Sequence, residues 1–109
     1  MDTAEFYVLK IKNLTNNSAV YISCSSVLNT NDDIVLYTFK TESYSLISNY
    51  GFCNKEDAIW FVDNCRNAIL DFISNYNALH LDQLSNEITL VKFVFIKEKE
   101  ELNTFKLED

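Results

Sequence analysis

Residues 54–76 read NKEDAIWFVDNCRNAILDFISNY. Within them Ala58, Val62, Cys65, Ile69, Phe72 and Tyr76 recur every three or four positions, the spacing that lines apolar side chains along one side of an α-helix. Asn54 is a favoured N-cap, because its side-chain oxygen can accept from a free backbone N–H. Glu56 and Asp57 fall in the first turn, where the helix dipole favours negative charge. The pattern predicts one long helix over 55–76, and such a stripe needs a surface to bury against.

The flanking sequence supplies that surface. Residues 5–12, EFYVLKIK, alternate, with Tyr7, Leu9 and Ile11 on one side and Val8, Lys10 and Lys12 on the other. This two-residue period is that of a strand. The run AVYISCSSV, 19–27, predicts a second strand and IVLYTFK, 34–40, a third, each preceded by an Asn-rich turn. Three strands on short polar turns make an antiparallel meander. ITLVKFVFIK, 88–97, predicts a fourth strand, apolar on both sides and so central or covered twice. The expectation is an α+β domain spanning 1–109, in the order β-β-β-α-β. Its four-stranded antiparallel sheet runs 3-2-1-4, with the helix packed on one face. Residues 43–48 suit a helical turn, and Gly51 a positive-φ turn into the helix. Residues 77–87 can extend the helix, form a short second one or be loop. The acidic tail, 98–109, either extends the last strand or turns helical.

Composition narrows function. The chain has 109 residues, one His, one Gly, no Pro and a net charge of −7. No apolar run approaches the roughly 18 residues of a membrane span. The opening MDTAEFYV has no early positive charge, so no signal peptide is expected and a cytoplasmic protein is. Cys24, Cys53 and Cys65 are odd in number, sit among apolar residues and form no C-x-x-C, which suits buried thiols in a reducing compartment. His80 alone cannot complete a zinc site with them. No metal or other cofactor is expected, and no direct contact with nucleic acid, which needs clustered Lys and Arg.

Nothing in the sequence has the form of a catalytic apparatus. His80 and Asp82 are two residues apart, but no serine sits in a nucleophile elbow. Cys53 precedes a helix N-terminus, a position that lowers a thiol's pKa. The strand aromatics are more simply core than an RNA-stacking platform. The expectation is a protein that is not an enzyme and works through its surface.

That surface is the outer side of the predicted helix. At about 100° per residue, Trp60 stands roughly 160° from Val62, beside Asn64, Asn67 and Asp71. Glu56, Asp57 and Asp63 share the polar side, and residues 54–86 hold these acids with Asp71 and Asp82 against only Lys55 and Arg66. The candidate partner-binding set is therefore Trp60, Glu56, Asp57, Asp63, Asn64, Asn67 and Asp71. A tryptophan in a polar surround is a typical interface anchor, and carboxylates spaced along a ridge can stand in for a run of DNA phosphates.

The stretches YVLKIKN, YISCSS, YTFK and FCNKEDAIWFVDN resemble a pattern in small phage and prophage accessory proteins. There a strand pair opens the chain and a KEDA stretch starts the helix. Short, acidic, Asn-rich chains of this kind look like phage inhibitors of bacterial defence, the anti-CRISPR proteins among them. The resemblance implies a protein target in the host bacterium, often a nuclease whose basic channel is blocked, and it places no functional residue. The alternative is a structural or regulatory homo-oligomer, such as a homodimer, with no inhibitory role, which buries strand 88–97 and the open sheet face against a second copy.

Overall fold

The computed structural model describes residues 5–24, 36–94 and 98–107. The chain is α+β, with three helices and a five-stranded antiparallel sheet. β1 (Glu5–Lys12), β2 (Ala19–Cys24) and β3 (Leu36–Phe39) form the expected meander. α1 (Tyr44–Tyr50), α2 (Lys55–Asn64) and α3 (Arg66–His80) follow, then β4 (Glu87–Val94) and β5 (Glu98–Lys106). The sheet order is β3-β2-β1-β4-β5. The expected strand positions 25–27, 34–35 and 95–97 lie outside the described residues.

Four expectations change. The tail is not an appendage to a four-stranded sheet: residues 98–106 pair with β4 along its whole length. A bulge between Leu90 and Val91 leaves Leu102 unpaired, and this one-residue slip reverses the alternation of β5. Phe105 and Leu102 thereby reach the core under the long helices. Glu101 and Lys99 face the opposite side, where they meet Lys10 at 3.5 Å and Glu42 at 2.9 Å.

The predicted 55–76 helix is two helices. Cys65, at φ −118° and ψ 27°, ends α2 and caps α3. The chain stays bonded through the junction: the Cys65 N–H donates to the Phe61 carbonyl (2.8 Å), and the Cys65 carbonyl accepts from the Ile69 N–H (3.1 Å). Asp63, Asn64, Cys65 and Asn67 are all weak helix formers. The Arg66 guanidinium also reaches away to the carbonyl oxygen of Lys106 (2.6 Å). α3 then runs four residues past the expected end.

The sheet is covered on both faces rather than one. Tyr7, Leu9, Ile11, Val20, Ile22, Ile88 and Leu90 pack under Ala58, Phe61, Val62, Ile69 and Ile73 of α2 and α3. On the other face Ile47 of α1 packs with Val8, Tyr21, Phe39, Val91 and Phe93. The chain crosses between faces at Phe52, whose N–H and carbonyl pair with the carbonyl and N–H of Tyr7 at 2.7 and 2.8 Å. β2 pairs with β1 only from Leu9 onward, so Phe52 occupies the next place in the ladder.

Gly51 permits this crossing by its lack of a side chain, and the expected positive φ is absent: its φ is −71°. A Cβ there would lie 2.5 Å from the Ile47 carbonyl oxygen. At the other end of the molecule, residues 81–86 lie along the β1–β2 turn. Buried Asn13 donates to Asp82 (3.1 Å) and accepts from the Thr15 N–H (2.9 Å).

Candidate partner-binding face

α2 begins where Asn54 accepts from the Asp57 N–H at 2.8 Å, and Glu56 and Asp57 fill its first turn. Ala58, Phe61 and Val62 are buried. Trp60 turns the other way and stays 44% exposed. Residues three and four positions from it are its helical neighbours, and these are Glu56, Asp57, Asp63 and Asn64. Asp57 is half-buried and the other three are exposed. The Asn64 side-chain amide donates to the Trp60 carbonyl (2.9 Å).

Among the described residues, the ion pairs join Lys10 to Glu101, Lys92 to Glu5 and Lys99 to Glu42. None neutralises Glu56, Asp57, Asp63 or Asp71. Beneath this face, burial and the neighbouring Glu5 carboxylate push the Tyr7 phenol up.

Asn67 and Asp71 lie beyond the Cys65 junction. Both are exposed, but they belong to α3. The constant 100° step that aligned them with Trp60 is interrupted at Cys65. The structure thus groups Trp60 with the four α2 residues and sets the remaining two on a separate helix.

The other sequence candidates separate further. Cys65 is buried, Cys24 half-buried and Cys53 exposed, so the expectation of three buried thiols fails at Cys53. Burial pushes the Cys65 thiol up. Asp82 accepts from Asn13, whereas the His80 ring lies tilted against Tyr76 with centroids 4.1 Å apart. Among the described residues no group of three His, Cys, Asp or Glu could hold a metal ion, and no helix is long and apolar enough to cross a membrane.

Sequence reading placed Phe72 and Tyr76 in the buried stripe, yet both remain half-exposed. Together with His80 they form a ring ladder along α3. The four-residue spacing 72-76-80 was the available signal. Comparison with protein-family models, characterised proteins and solved structures returned no match for this chain.

Proposed function

We propose that this protein is a non-enzymatic binding protein that docks on a basic protein surface through the outer side of α2. Half-exposed Trp60, ringed by Glu56, Asp57, Asp63 and Asn64, carries the reading. An indole supplies a large anchor that a partner's pocket can desolvate, and the surrounding carboxylates steer a basic partner and fix its register. Asp71 widens the acidic field from the neighbouring helix, and Asn67 adds an uncharged polar group there.

By resemblance to phage and prophage defence inhibitors of the anti-CRISPR type, the partner class is a host nuclease met in the bacterial cytoplasm. Inhibition follows if the carboxylates occupy a channel built for phosphates. Pull-down of purified CRISPR nucleases, followed by affinity measured from about 50 to 500 mM salt, tests this. Binding should weaken as salt rises, and Trp60→Ala should reduce it by about 2 kcal/mol or more. Salt-independent binding removes the electrostatic element, and binding indifferent to Trp60→Ala removes the anchor.

The alternative of a homodimer closed over the last apolar strand loses its motive. Ile88, Leu90, Val91 and Phe93 are already buried within one chain.

A further inference from the structure

A second site lies on α3, and none of its residues belongs to the Trp60 ridge. Between α3 and the β2–β3 end of the sheet is a groove of about 510 Å³. This volume falls within the roughly 300–1,000 Å³ of small-molecule sites, which are mostly apolar with a few placed polar groups. Its helix wall is a ladder of rings. Phe72 and Tyr76 have centroids 5.8 Å apart, and Tyr76 and His80 4.1 Å apart. Its sheet wall includes Val20, Thr38 and Lys40.

Two properties define what would fit. Successive tilted rings on one wall offer faces and edges to a flat π-system. The charge is the reverse of the molecule's: in a chain of net charge −7, the described lining holds Lys40 and no carboxylate. The Lys40 ammonium sits 5.8 Å from the Tyr76 ring centroid, and no ion pair among the described residues engages it. A cationic ligand would have to displace this ammonium from the ring. An anionic one would gain a charge-assisted bond from it.

We propose that this groove binds a small planar aromatic anion, its ring against Tyr76 and His80 and its carboxylate or phosphate on Lys40.

The test is a titration of the full chain with 2-naphthoate, uncharged 2-naphthamide and 2-naphthylmethylammonium, followed by amide chemical-shift mapping. Lys40 and His80 are both exposed, so Lys40→Met and His80→Ala should fold normally. We expect saturable naphthoate binding, with shifts at residues 38–40 and 72–80. Affinity should fall roughly tenfold for the amide, about 1.4 kcal/mol, and further for the ammonium. Lys40→Met should erase the preference for naphthoate over naphthamide, and His80→Ala should weaken both. No saturable binding, shifts centred elsewhere, or an undiminished preference in Lys40→Met would each overturn the proposal.

Discussion

At Trp60 the chain leaves nearly half of an indole in water, on a helix whose other side is fully packed. Trp60→Ala should therefore cost little stability, about 1 kcal/mol or less, while partner binding suffers the larger loss. Thermal melts beside binding isotherms separate the two. A stability loss of roughly 3–5 kcal/mol, the cost of truncating a buried aromatic, would mean that Trp60 serves the core. Gly51 presents the opposite case. At φ −71° and ψ 157° an alanine would ordinarily stabilise by about 0.4–1 kcal/mol through the unfolded chain. Here its Cβ meets a backbone oxygen of α1 at 2.5 Å, and that oxygen already accepts the Gly51 N–H. The clash outweighs the entropy gain, so Gly51→Ala should destabilise by about 1–3 kcal/mol in denaturant titration. The sequence marked Gly51 as special but suggested the wrong cause. A lone glycine before a helix implies positive φ, whereas the close approach of Ile47 depends on where α1 packs.

Among the elements, those with strong local periodicity were legible: β1, β2, β3, β4 and the start of α2 at Asn54. The break at Cys65 was not, because apolar spacing continues through it at Ala58, Val62, Cys65 and Ile69. Only the weak helix formers around it gave warning, and the Arg66 bond to β5 could not be read without the fold. β5 was hidden for a related reason. Its bulge puts Leu102 and Phe105 on one side despite their odd separation, so no two-residue period survives. The same break leaves Asn67 and Asp71 on a different helix from Trp60. The end of α3 gives a sharper test of element energetics. Leu81 caps it in the left-handed region at φ 56° and is 88% exposed. An L-residue there costs roughly 1–2 kcal/mol, and its side chain buries almost nothing in return. Leu81→Gly, partly offset by the greater freedom of glycine when unfolded, should stabilise by about 1 kcal/mol. An unchanged or lower melting temperature would show that the leucine has a packing role.

Over the whole molecule, the face opposite the long helices is bound by charge as well as by α1. Glu42 accepts from the Tyr21 hydroxyl on β2 and from the Lys99 ammonium on β5 (2.9 and 3.2 Å). It therefore spans the two strands between them. Burial by itself would raise the Glu42 carboxyl, but the Tyr21 and Lys99 bonds outweigh it and leave it below its ordinary 4.5. Burial and the same carboxylate push the Tyr21 phenol up. The unfolded chain thus binds the Glu42 proton more readily than the folded one. This contribution is complete above the ordinary value and is lost as pH falls through it towards the depressed value. Tyr21 acts at the other extreme, its contribution fading as pH rises past the ordinary 10.0. Melting temperatures from roughly pH 3 to pH 7 should fall on the acid side, and Glu42→Gln should flatten that fall. An equally steep fall in the variant would place the acid sensitivity elsewhere.

The sheet order β3-β2-β1-β4-β5 also has a consequence in time. Every strand pairing joins chain neighbours except β1–β4, where Tyr7 faces Lys92 and Leu9 faces Leu90. The two flanking units can form from nearby residues, whereas this seam must close a loop of three helices and waits on its entropy. Seam formation should therefore set the folding rate. Leu90→Ala should slow refolding in stopped-flow mixing, and an unchanged refolding rate would place the limiting step elsewhere. The molecule would then be assembled as two sheet fragments joined along its middle, with Phe52 sealed beside Tyr7 as the join completes.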